Sequence, residues 1–203
     1  MTSPPNSDKR MRQQLAMEAA RIMAEEGVND YQFAKRKAVA RLGATSSRNS
    51  VHSLPRNEEI QQALEEYLRL FKADSQPAIL KKLRQIAVQA MRLLQQFNPR
   101  LVGSVLSGTA SEHSNINLHI FADTAKDVIL FLMNARIPYE SAEKLFVLMN
   151  GENASYPVQR FTLQGILLEV VVFDIDDIRQ APRSPVDGHS MKRATLAVVE
   201  GLL

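Results

Sequence analysis

The sequence predicts an α+β chain: an N-terminal helical region followed by a β-sheet domain flanked by helices. Three observations predict it. Up to about residue 97, apolar residues recur at helical spacing between cap residues and Gly or Pro stops. From Arg100 onward, short apolar runs alternate with polar residues or are divided by Gly-containing turns, which is the pattern of strands. One stretch, ILLEVVVF over 166–173, is apolar at every position except Glu169 and is the best strand of the sequence.

Composition sets the outer bounds. Apolar residues make up 45% and charged residues 23%, proportions that supply a real core. There is no cysteine, which excludes a disulfide framework and a thiolate metal site. The four histidines, His52, His113, His119 and His189, show no ligand spacing. No run approaches a membrane span and the first dozen residues lack the apolar centre of a signal peptide, so the expectation is a protein of the reducing cytoplasm with no membrane partner. The net charge of +3 does not itself argue for nucleic acid. Its distribution is uneven: ten Lys/Arg face four Asp/Glu from Lys9 to Arg56, and fifteen face seventeen from Asn57 onward.

Residues 1–10, with Pro4-Pro5, read as a disordered lead-in. Met11 to Glu26 reads as a helix with Leu15, Ala19, Ile22 and Met23 on one face and Gly27 as its stop. Asp30 caps a second helix, Tyr31 to Leu42, closed by Gly43. It carries Lys35, Arg36 and Lys37, which read either as a solvated face or as contacts for RNA or nucleotide phosphates. Ala44 to Arg56 is a Ser-rich loop, and Asn57 with Glu58 and Glu59 opens a third helix. Ser75 and Pro77 start a fourth, running to about Phe97 with Ile79, Leu83, Ile86, Ala90 and Leu94 buried. Thr124 to Ile137 is a further helix, stopped by Pro138. Leu145 to Met149, the Asn150-Gly151 turn and Val158 to Leu163 form a hairpin, and Gly165 leads into the apolar strand. Gln180 to Gly188 is a loop, and His189 to Leu203 a modest helix.

The stretch with the most chemical detail is LVGSVLSGTASEHSNINLHIFA, Leu101 to Ala122. It reads as strand, tight turn, short helix or loop, strand. Gly103-Ser104 directly after a strand lets backbone N–H groups and a hydroxyl approach an anion, because glycine has no Cβ in the way. Asn115, Asn117 and His119 share strand parity and so share a face, opposite Ile116, Leu118 and Ile120.

Gly103-Ser104, ten intervening residues and the alternation Asn115-Ile116-Asn117-Leu118 resemble the signature of the DNA polymerase beta-like nucleotidyltransferase superfamily. The resemblance covers roughly Arg100 to Asp177. It implies a nucleotidyltransferase-like domain over 98–180, after a helical region over 11–97 and before a C-terminal loop and helix over 181–203. It implies that Gly103 and Ser104 bind a nucleoside triphosphate and that two strand residues, with a third from a later strand, bind Mg²⁺ for nucleotide transfer to RNA, protein or a small acceptor. The matching positions are Asn115, Asn117 and Glu169, as both catalytic and metal-binding residues. The first two are amides where the family has carboxylates, and an uncharged pair holds Mg²⁺ weakly. Three readings follow: an active Mg²⁺-dependent transferase, a degenerate module that binds nucleotide or RNA without transfer, or a structural or partner-binding protein in which the Gly-Ser match is a coincidence.

Glu169 itself has two readings: a carboxylate bound to a cation inside the sheet, or an exposed residue of an edge strand. Asp123, Asp174, Asp176 and Asp177 supply metal oxygens if their strand ends reach the Gly-Ser turn, and otherwise mark exposed turns.

Overall fold

A computed structural model describes residues 5–43 and 54–203. The fold is α+β, with seven helices and one five-stranded mixed sheet among the described residues. Residues 1–4 of the expected lead-in and 44–53 of the expected loop lie outside the described part. No helix among the described residues is long and apolar enough to cross a membrane.

The chain divides into two units. The first contains the helices of the N-terminal part together with Thr109–Ser114 and Pro185–Asp187; the second contains Ala78–Gly108, Asn115–Ser184 and Gly188–Leu203.

In the first unit, α1 (Pro5–Glu26), α2 (Tyr31–Leu42) and α3 (Asn57–Phe71) bury Leu15, Ala19, Ile22, Ala34, Ala38, Ile60, Leu64 and Leu68 against one another. Four alanines of this cluster lie on α1, and small side chains there let helices approach closely. The structure corrects the expected start of α1. Residues 5–10 are helical, because Pro5 at the first position has the right φ and needs no N–H acceptor. Asp30 caps α2 as expected, accepting from the Phe33 N–H at 2.7 Å, and Gly43 closes it at φ +61°. The cap of α3 is Arg56, not Asn57: Glu59 accepts the Arg56 N–H at 2.6 Å, and the Asn57 amide donates to the Pro185 carbonyl at 2.5 Å.

In the second unit, α4 (Gln76–Leu93) ends earlier than expected, and a separate 3-10 turn, Gln95–Phe97, leads to Asn98 at φ +48°. Ile79, expected in the core, is half-buried, one turn outside the buried run that begins at Leu83. Then come β1 (Arg100–Val102), α5 (Ser104–Ser107), β2 (Ile116–Phe121), α6 (Ala125–Asn134), β3 (Glu140–Val147), β4 (Asn153–Leu163) and β5 (Ile166–Phe173). Helix α6 stops before Ile137 because Arg136 turns to φ +55°. β3 begins five residues before the apolar run suggested, since pairing with β4 holds Glu140 to Lys144 in the ladder whatever their polarity. The expected C-terminal helix is only α7 (Leu196–Glu200); the residues before it make bridges, Arg183 to Ser190 and Leu101 to Ala194.

The strand order is β1-β2-β5-β4-β3, with β2 and β5 parallel and the other neighbours antiparallel. β5 is central, which accounts for its near-continuous apolar run. One sheet face carries Leu118, Ile120, Leu168, Val170 and Val172, all buried; α4 and α6 add Leu83, Ile86, Met91, Val128 and Leu132 to the buried set of this unit. On the other face, Phe121, Phe146, Val158, Val171 and Phe173 form a second cluster, beside which a polar band runs along the sheet.

Candidate functional site

The polar band is set by strand register. Val102 lies opposite Asn117, Asn117 is in register with Glu169, and Glu169 lies opposite Arg160. Side chains that are paired across neighbouring strands share a face, so four strands contribute to one row. Gly103 follows Val102 at φ +75°, ψ −156°, a region essentially reserved for glycine. A Cβ there would lie 3.2 Å from Asn117 Nδ2, so the turn sits directly against the Asn117 amide. Ser104 opens α5, a single turn in which the Gly103 carbonyl accepts from Leu106 and Ser107 at 3.1 and 3.0 Å. The leading N–H groups of such a turn have no acceptor inside it. Asn115 precedes β2 by one residue and is half-buried.

Glu169 is held by cations on two other strands. Arg160 donates through Nε and Nη2 to Glu169 Oε2, each at 3.2 Å, and Lys144 Nζ donates to Oε1. The Glu169 side chain is 12% exposed against 43% for Lys144 and 35% for Arg160, so the carboxylate is the buried member and the cations reach solvent. Burial pushes its pKa up, but Lys144 and Arg160 outweigh that and hold it below the ordinary carboxylate value. The expected alternative of an exposed edge-strand residue is corrected, because β5 is the centre of the sheet.

Nothing in the local sequence around Arg160 or Lys144 marks either as a site residue. A signal for the register of Arg160 existed: Gln164 and Gly165 both have positive φ, a two-residue turn of the kind that fixes hairpin register and sets Arg160 opposite Glu169. Lys144 comes from the strand beyond, and its place depends on two successive hairpin registers.

At the other end of the same face, His119 is 2% exposed and accepts at Nδ1 from Arg193 Nε at 3.0 Å. Arg193 stacks over Phe173 and Phe121, 4.7 and 5.1 Å from the ring centres, and its Nη1 donates to the Asp177 carbonyl at 2.8 Å. Burial, with Arg193 and Lys144 nearby, drives the His119 pKa well below its ordinary value, so the ring is neutral. The expected half-exposed polar face does not extend to His119, because the tail carrying Arg193 covers it. Asp174, Asp176 and Asp177 follow Phe173, at the end of β2 and β5 opposite to Gly103, and the strand end therefore does not reach the Gly-Ser turn. Asp123 follows β2 at that same far end and is exposed.

Lys35, Arg36 and Lys37 lie on α2 in the first unit. Lys37 is ion-paired with Glu26, Arg36 is exposed, and burial lowers the Lys35 pKa.

The donor set does not fit Mg²⁺. Two of the implied ligands, Asn115 and Asn117, are neutral, and both oxygens of the third, Glu169, already accept from cations. A hard divalent ion needs anionic oxygen donors facing it, and Lys144 and Arg160 repel it. Among the described residues no group of three or more His, Cys, Asp or Glu is placed to hold a metal. What the row can accept is an anion, beside a glycine turn and two solvent-reaching cations. Comparison with family models, curated proteins and solved structures yields no match to this chain.

Proposed function

We propose that the sheet unit is a nucleotidyltransferase-like module that binds the phosphates of a nucleotide at the Gly103-Ser104 turn without metal-dependent transfer. The observation that carries the reading is the Lys144–Glu169–Arg160 group, which puts two cations where a transferase needs a metal. The register supports it further. The position implied for a third carboxylate, Glu169, stands beside Asn117, which in turn packs under Gly103, so these three lie in one row, with Asn115 outside it. A phosphate chain that starts on the N–H groups of the turn and runs along the row toward Glu169 approaches the solvent-reaching ends of Lys144 and Arg160, and charge-assisted hydrogen bonds of this kind are the stronger class. Asn117 can donate to a phosphate oxygen through its amide, which a carboxylate cannot do. No transfer to an RNA, protein or small-molecule acceptor is part of this reading.

Thermal unfolding with each nucleoside triphosphate, with and without Mg²⁺, tests it, because a ligand of the folded state raises the midpoint by mass action. A rise of similar size under both conditions is expected. A rise that appears only with Mg²⁺ revives the transferase reading, and no rise with any nucleotide removes nucleotide binding altogether.

A further inference from the structure

β3 (Glu140–Val147) is the last strand of the sheet, paired with β4 on one side only. On its outer side the Arg183 N–H donates to the Val147 carbonyl at 2.8 Å. Backbone groups alternate sides along an antiparallel strand. Ser141, Glu143 and Leu145 therefore also direct their N–H and C=O outward, and among the described residues no backbone partner meets them there. Leu145 is 66% exposed at the same edge. An open edge of this length is a template for another strand.

We propose that β3 pairs antiparallel with β3 of a second copy of the chain, about a two-fold axis through Ala142, so that the two five-stranded sheets run on as one. Charge selects both the partner and the register. An axis perpendicular to the sheet keeps every residue on its own face, so opposed residues have the same parity. Centring the pair on Glu143 sets Glu143 against its own copy, and centring it on Lys144 does the same for lysine; directly opposed like charges disfavour pairing. Centred on Ala142, Glu140 faces Lys144 of the second copy, whose ammonium also holds Glu169 of its own sheet, and the two-fold axis makes that arrangement twice. Ser141 then faces Glu143, whose outward N–H and C=O groups exchange hydrogen bonds with those of Ser141, and the exposed Leu145 faces Tyr139. Val147 stays outside the paired stretch and keeps its bond to Arg183. A register centred on Ser141 shortens the paired stretch and sets Glu140 against Ala142, losing both ion pairs.

The full chain has no cysteine, so one introduced thiol reports the register unambiguously. Light scattering is expected to give twice the chain mass of 22.8 kDa at high micromolar concentration. Ala142→Cys is expected to form a disulfide-linked dimer under mild oxidation, since closely opposed positions of an antiparallel pair come within disulfide reach. Glu140→Cys, whose counterpart is position 144, is expected not to cross-link with itself. Glu143→Pro removes an N–H that only the second copy uses, and proline is tolerated at a sheet edge. It is expected to give a monomer with an unchanged far-ultraviolet circular dichroism spectrum. Glu140→Lys, which sets a lysine against Lys144 of the second copy, is expected to weaken the dimer about tenfold or more. A chain monomeric at every concentration overturns the proposal, as does a dimer that Ala142→Cys fails to link and Glu143→Pro fails to dissociate.

Discussion

Replacing Glu169 by Gln separates a phosphate-binding row from a metal centre, because the two readings give opposite signs. The substitution keeps the shape and one carbonyl oxygen while removing the charge that holds Lys144 and Arg160. Losing one partner of a fully buried ion pair costs about 3–5 kcal/mol. Here the cations are more than a third exposed and can turn to water, so the cost falls to about 1–2 kcal/mol. For a bound phosphate the change is favourable. Removing one negative charge two strand spacings, about 10 Å, from a phosphate at the turn, at an effective dielectric constant of about 40, is worth about 0.8 kcal/mol, or about fourfold in Kd. Titration of native and Glu169→Gln protein with a nucleoside triphosphate in EDTA, by calorimetry, measures that ratio; urea unfolding of the same samples measures the stability cost. Tighter binding by a less stable protein is the expected outcome. Binding that needs Mg²⁺ in the native protein and disappears in Glu169→Gln would refute the reasoning, since only a metal ligand behaves so.

Gly103→Ala is expected to cost about 2–3 kcal/mol, from the positive φ and the approach to Asn117, and to abolish the midpoint shift by nucleotide; urea unfolding with and without ligand checks both. Gly27→Ala, at φ +68° with its Cβ 2.4 Å from that of His113, is expected to lower the urea midpoint of the helical unit, by about 2–4 kcal/mol in stability. His119 titrates far lower folded than unfolded, so the unfolded chain binds the extra proton first and stability falls as pH drops below about 6.5. The slope reaches at most about 1.4 kcal/mol per pH unit for one proton, and His119→Gln, which keeps an acceptor for Arg193, is expected to flatten it in a series of melts between neutral and mildly acidic pH. Glu169 contributes a separate, more acidic loss. Its lowered pKa means that the stability is present above the ordinary carboxylate range and disappears as pH falls through the folded value, an effect that Glu169→Gln removes while leaving the His119 slope in place.

Helices α2 and α3 and strands β1, β2 and β5 were legible because their signals are local. Asp30 and Gly43 bound α2 through their own backbone and side-chain geometry, and the run from Ile166 to Phe173 is apolar at all positions but one. Where local signals were weak, the reading missed: the early start of α1, the polar half of β3 and the bridged segment that stands in for most of a C-terminal helix. In each, hydrogen bonding or packing overrides composition.

For the site, sequence alone gave Gly103-Ser104, the shared face of Asn117 and His119, and the anomaly of a carboxylate in an apolar strand. It also determined that two of the implied metal positions are uncharged. Only the tertiary structure decided what Glu169 is for. Lys144 lies 25 residues away in sequence, on the far side of two hairpin turns, and Arg193 reaches His119 across 74 residues. A buried charge states in the sequence that it must be compensated, because isolated burial costs too much. Which group compensates it is a matter of strand order and register, and those are fixed by the packing of the whole sheet rather than by any residue's neighbours in the chain.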